Sequence, residues 1–491
     1  MSHYNLLTKD TGLSHILAWA ITLPFQHDFS PTRWRTAIKT MLEKGPGSLL
    51  IPKIRVIQLL NMNSNFAFHL LWGKRLVHHA LAHNALTLLN FGVRLGCRVH
   101  SALLQQDLSY SYIRYTCLNA IIFNNDAKAY FNRIILSIGL MATERLGMPP
   151  TTSACMLATI QGMNFFICTA HGLSSGFFTS TLSTLILGVL QGSRAAPCIW
   201  FSISCILLHA LSTHTTGFQA TCPCYSKTFK RPGEEFVDNT DHFLTSTSSS
   251  SSRTLISSMQ KVAQLWERLL FASGGALAIQ KCFYSLVDWC WDHNGFPVLS
   301  SKTTPSESQL LMTSGRSSST HTIPRVENNI GRRTLGVHLS LDGSFVEEFS
   351  HRQQQALKWI HNISIAPLSR EETYTTYCTM WRPSFKFLLP ITSSTKKQCK
   401  TLQRVFTGPF LAKTGISRTT SRALVITPYQ YINFSIANTW VQQGLQQGLH
   451  FLLGHLSYHD KVGNLLKINI DMLQLVKGLP DPPLTYSLPQ K

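Results

Sequence analysis

The stretch EEFVDNTDHF, residues 234–243, decides how the rest of the chain is read. Phe236 and Val237 lead into Asp238, and an amide, Asn239, follows it. A carboxylate at the tip of a hairpin is placed to hold a divalent cation, and Asn239 stands where a second carboxylate would add to that charge. The chain is poor in acids, with 23 Asp and Glu against 44 Lys and Arg among 491 residues. An acid that ends an apolar run therefore needs a reason, and one other position shares the pattern. In CLNAIIFNND, residues 117–126, a short β-branched run ends at Asp126. It reads as a buried strand bounded by polar residues.

Brought side by side, Asp126 and Asp238 would make an oxygen-rich site suited to Mg2+, with Mn2+ as a substitute. Nucleotidyl transfer employs two such ions, one at the attacking hydroxyl and one at the leaving pyrophosphate. The net charge of +21 points the same way, because nucleic acid is the commonest partner of so basic a surface. An apolar content of 44% excludes global disorder, and the length allows two to four domains with cores of their own. The twelve cysteines show no pair of pairs at metal spacing, Cys222 and Cys224 standing alone as C-x-C, so a zinc site is not expected. Reduced thiols and the lack of a clean signal-peptide pattern imply an intracellular setting, nucleus or cytoplasm.

Residues 177–211 are apolar but interrupted by QGSRAAP, which leaves two pieces of about 14 residues, short of the ~20 that span a bilayer. With Gln191, Arg194 and Pro197 near the centre, they read as a buried strand or loop and then a buried helix, with no stable membrane association. The segment 127–147 reads as a helix closed at Gly147, and 255–270 as an amphipathic helix closed by Gly274 and Gly275. A Ser/Thr run at 245–254 and the polar stretch 300–328 read as exposed connections. RRTLGVHLSLDGS, residues 332–344, reads as a hairpin, and 347–381 as mostly helical. Strands mixed with helices in this order give an α+β fold.

NNDAKAYFNRI, GVLQGSRAAP, FVDNTD, GGALAIQKC and RTLGV occur in the order of the palm motifs A to D and the primer-grip hairpin of reverse transcriptases, which they resemble. Upstream, residues 41–60 resemble the fingers pattern, and NFGVRLGCRVHSA, residues 90–102, resembles the segment that precedes motif A in non-LTR retrotransposon enzymes. The resemblance covers roughly residues 25–345. It implies a right-hand polymerase fold: an N-terminal and fingers-like segment (1–104), a palm with an antiparallel sheet on helices (105–300), a polar loop (301–330), a primer-grip hairpin with a helical thumb (331–395) and a C-terminal helical extension (396–491).

It further implies RNA-directed DNA synthesis by a fragment of a retroelement, with an RNA template, a DNA primer and dNTP as partners. Asp126 and Asp238 would ligate the metal, and Lys281 would face the leaving pyrophosphate. Phe131 would hold the steric-gate position against a ribose 2′-hydroxyl. Gln191 and Gly192 would lie against the nascent base pair, Lys44 and Arg55 would grip the triphosphate, and Leu335 and Gly336 would form the primer-grip turn. Three departures stand out: Asn239 and Asn132 where the family usually carries Asp, and NMNSNF (61–66) in place of a more acidic stretch. Weakened activity follows from Asn239, and a catalytically decayed, basic nucleic-acid-binding remnant is the alternative.

Overall fold

The computed structural model describes residues 11–45, 47, 50, 54–94, 97–181, 183–222, 224, 228–246, 252–300, 309–315, 319–417, 419–421, 425, 438–456 and 460–485. The fold is α+β. Strands β1 (Thr36–Glu43) and β2 (Ile54–Leu60) form an antiparallel hairpin, to which β4 (Asn164–Thr169) adds in parallel beside β1, followed by the short β5 (Gly172–Leu173). Residues 164–173 thus supply two strands to the sheet that begins with β1 and β2.

A second sheet has the order β10 (Phe283–Val287), β3 (Ala120–Asp126), β9 (Asn239–Thr245), β8 (Gly233–Phe236), all antiparallel. β3 is central, and this explains why AIIFNND lacks polar alternation: both of its faces are covered. Ile121 and Phe123 enter one core, while Ala120 and Ile122 enter another. The first core is closed by the helices Ala196–His214 and Ser252–Ala272. The second is closed by α1 (Val99–Thr116) and by α2 (Lys461–Lys477), which packs on α1. A residue of β3 therefore changes core with every step along the strand.

Several sequence expectations are met locally. The helix Ser252–Ala272 ends before Gly274, whose φ of +88° needs a residue without a side-chain penalty. The hairpin β15 (Arg332–Thr334) and β16 (Val337–Leu339) turns through Leu335 and Gly336, both at positive φ, the backbone of a two-residue hairpin turn.

Others are corrected. Residues 127–147 do not form one helix: Tyr130–Arg133 and Leu136–Arg145 are separated by extended Ile134 and Ile135. The Ile135 N–H donates to the Ser273 carbonyl (3.0 Å) and the Ile134 carbonyl accepts from Gly188 N–H (2.8 Å), so tertiary hydrogen bonds outweigh helix periodicity here. The helix read after QGSRAAP is present as Ala196–His214, 19 residues long, with Pro197 in its first turn, where it is tolerated. It is the one helix among the described residues long and apolar enough to cross a membrane, and its Ile199, Trp200, Phe201, Leu208 and Leu211 lie in the protein core. Within the polar stretch 300–328, β13 (Leu310–Thr313) and β14 (Thr320–Ile323) form a hairpin whose Leu310, Met312 and Ile323 are buried, while residues 301–308 lie outside the described ones. The helices Val346–Ile365 and Lys396–Lys413 pack together around Tyr377, Trp381, Phe406 and Phe410.

Candidate active site

The β8–β9 hairpin places Asp238 in its turn, immediately before Asn239, and β9 pairs with β3 so that Asn239 stands directly opposite Asp126. The Ala127 N–H donates to the Asp238 carbonyl at 3.1 Å, tying the two chain ends together. Val237 forms the turn at φ +61°, a strained conformation for a β-branched residue. The turn is held from three sides. Trp200 Nε1 donates to the Val237 carbonyl, Glu235 is paired by backbone to Leu89 and Phe91, and Gly92 lies so close that a Cβ there would meet Val237 Cγ2 at 2.8 Å.

The electrostatics follow from this crowding. Burial, and then the charge of Asp126, push the Asp238 carboxyl up to about 6, opposed by its own backbone N–H and by Lys281. Lys281, in the turn Ile279–Lys281, makes an ion pair with Asp126 Oδ2. The pair is formed by an exposed ammonium and a mostly buried carboxylate. Asp126, Asp238, Asn239 and Lys281 are therefore gathered at one end of the sheet. Among the described residues no group of three or more His, Cys, Asp or Glu is placed to hold a metal ion; Asp126 lies close enough to Asp238 for its charge to be felt there.

Phe131 is half-buried, with its ring 3.9 Å from that of Tyr130, and its carbonyl accepts from Val189 N–H at 2.7 Å. From Val189 the chain runs to Gln191, whose carbonyl accepts from Gln58 N–H of β2 at 2.7 Å. Gly192 follows at φ +133°, pressed so closely on the Gln58 carbonyl that a Cβ would overlap it. Asn65 fastens the same loop: its amide donates to the Gly192 carbonyl (3.2 Å) and its side-chain oxygen accepts from Arg194 N–H (2.8 Å). Loop 188–194 thus ties the segment that follows β3 to β2 of the other sheet. Lys44 and Arg55 are exposed at the end of β1–β2 where the chain connects the two strands, Arg55 facing Leu42. Leu335 and Gly336 sit on a different flank, where the Gly336 carbonyl accepts from Arg352 Nη2 at 2.8 Å and Arg332 of the same hairpin lies over the ring of Phe283 in edge strand β10.

Three residues at this site escape the sequence patterns used above. Glu235 is fully buried behind Asp238, and burial pushes its carboxyl up to about 8 although Trp200 Nε1 donates to it at 3.0 Å. Trp200 holds both Glu235 and the strained turn. The Tyr130 hydroxyl is pushed well above its usual range by burial and then by Asp238, Glu235 and Asp126.

No family model matches the chain, and no curated protein matches it. Among solved structures, 95% of the chain is similar to telomerase from Candida albicans in complex with a TWJ fragment of telomeric RNA, at a TM-score of 0.43 and 11% identity, covering 67% of that chain. It is similar in the same way to telomerase from Candida tropicalis, both apo (TM-score 0.42, 8% identity, 95% of this chain and 71% of that one) and with a TWJ fragment (TM-score 0.43, 10% identity, 96% and 66%).

Proposed function

We propose that this chain is a reverse transcriptase-like nucleotidyltransferase from a non-LTR retroelement, with fingers, palm and thumb arranged as a right hand. The observation that supports this best is the placing of Asp126 and Asp238 at one end of the β3–β9 ladder, where the charge of Asp126 raises the cost of charging Asp238. Two carboxylates without a third ligand fit Mg2+, which usually keeps waters and takes substrate phosphates as its remaining ligands. When bound, a pair of Mg2+ ions would supply activation of the primer 3′-hydroxyl and neutralisation of the leaving pyrophosphate. Asp126 and Asp238 hold that charge in place. Lys281, paired with Asp126, would face the leaving pyrophosphate. Gly192, without a side chain, lets the base pair approach the backbone, and Phe131 crowds the sugar. Lys44 and Arg55 take the triphosphate from the fingers, and the Leu335–Gly336 turn steadies the primer.

A second possibility keeps the fold and the binding but not the catalysis. Asn239 supports it, since an amide stands directly opposite Asp126 where a carboxylate would serve a hard cation better.

Extension of a DNA primer on an RNA template with Mg2+ tests the proposal, and lack of any extension leaves the binding remnant. In either case single-stranded nucleic acid should bind with little sequence preference. If about five phosphates are held, affinity should fall about a hundredfold between 50 and 200 mM salt. A flat salt response in a filter-binding titration would reject both.

Phe131→Ala should let ribonucleotides in. Removing the ring beside Tyr130 opens space at the sugar, and the ratio of dNTP to rNTP incorporation should drop about tenfold or more. An unchanged ratio would return Phe131 to a packing role against the core it already touches.

A further inference from the structure

A cavity of about 800 Å3 opens between the start of α1 and the C-terminal part of the chain, away from the carboxylates. Its walls carry Arg94, Arg98, His450, His455 and Lys461 against one acid, Asp460. That acid is already engaged: one oxygen accepts from Gly463 N–H at 2.6 Å and the other from His455 Nδ1 at 2.8 Å. The arginines and Lys461 therefore face the cavity with little compensating charge. The crowding of cations is felt within it, where His450 is lowered by burial and then by His100, Arg98 and His455, and Lys461 by burial and then by Arg94. Arg94 Nε is buried without a hydrogen-bond partner among the described residues.

The cavity is coupled to the palm by backbone. Phe91, in its wall, donates its N–H to the Glu235 carbonyl at 2.9 Å, and Gly92 touches Val237, the residue before Asp238. The opposite wall carries Gly454, His455, Asp460, Lys461, Val462 and Asn464, more than 200 residues beyond the candidate catalytic turn.

We propose that this cavity grips a phosphodiester of the bound nucleic-acid strand, with Arg98 and Lys461 supplying the charge from opposite walls. It rests on the nucleic-acid reading of the function but not on catalysis. The grip would make the C-terminal segment part of the nucleic-acid path and hold a strand that passes the Val237–Asp238 turn. A phosphate monoester or free phosphate shares the same chemistry, and the test separates these sources.

The experiment measures affinity of the full chain for a single-stranded oligonucleotide across a salt series, without primer or nucleotide, for the parent, Arg98→Ala, Lys461→Ala and the exposed control Lys358→Ala. Each cavity variant should bind at least about threefold more weakly at 0.1 M salt and lower the salt slope by about 0.7, the value for one single-strand phosphate contact. The control should change neither, and thermal melting should show all four chains folded. Unchanged affinity and slope in both cavity variants, or an equal loss in Lys358→Ala, would overturn the assignment. So would inorganic phosphate that binds the parent, is lost in Lys461→Ala and is not displaced by the oligonucleotide. Binding is also measured in an Asp238→Ala background: an intact cavity effect there, with primer extension absent, separates failure of the polymerase proposal from failure of this one.

Discussion

Asp238→Ala is expected to abolish primer extension while leaving nucleic-acid affinity and folding intact. Asp238 lies in a turn rather than in a strand core, so its side chain can be removed without opening a cavity. What is lost is the charge that a hard cation needs, worth several kcal/mol at the transition state and so at least about a thousandfold in rate. A variant that still extends primer would show that the site is misassigned. Asn239→Asp is the companion. Directly opposed residues of an antiparallel pair hold their Cβ atoms about 5 Å apart on one face, so the new carboxylate would stand beside Asp126. It should lower the Mg2+ needed for half-maximal rate, or raise the rate itself. No change in either, in an active parent, would make the amide a tolerated variant. The pH dependence has a definite sign. Asp238 is raised to about 6, so it is increasingly protonated as pH falls through that value. The Mg2+ requirement of the parent should therefore rise from pH 7 to pH 5, and the same titration should be absent from any activity left in Asp238→Ala.

The sequence made the strand ends of this site legible for a simple reason. β3 is central, its apolar run is unbroken, and Asp126 marks where the strand meets solvent, so composition and boundary coincide. The turn at Leu335–Gly336 and the end of the helix before Gly274 were legible because backbone conformation there selects residue type. The break at Ile134–Ile135 was not, since its cause is hydrogen bonding to Ser273 and Gly188, far away in sequence. Likewise the addition of β4 to the fingers-like sheet depends on a parallel pairing that no local pattern encodes. Glu235 and Trp200 were missed because they act through burial and mutual contact, which spacing alone does not report.

Arg231→Ala is expected to destabilise the fold by about 3–5 kcal/mol, the usual cost of leaving a buried charge without its partner. Arg231 is fully buried, makes an ion pair with Glu234, donates to Ser109 Oγ at 2.7 Å and lies over the ring of Phe243 at 3.9 Å. Around it Gln105 donates to Glu234 (3.0 Å) and Gln106 to Asp241 (2.8 Å), while Asn124 of β3 also donates to Asp241. This network lies on the β3 face opposite Phe123, so it is a second buried polar layer beneath the same strand that carries Asp126. The sequence singled out neither Arg231 nor Asp241, because a charged residue in a short strand looks like a solvated one. Without the guanidinium, Glu234 and Asp241 would share the core with no cation. Burial already pushes Asp241 up to about 7, so its contribution to stability is full below about pH 4 and is lost as pH rises through 7. Removing Arg231 should steepen that loss, making the variant markedly less stable at pH 8 than at pH 5 in chemical denaturation. Arg231→Met with Glu234→Gln should recover much of the deficit by removing charge from both sides. Equal stability of Arg231→Ala at the two pH values would mean that the carboxylates find water or another donor, and that the network is not sealed.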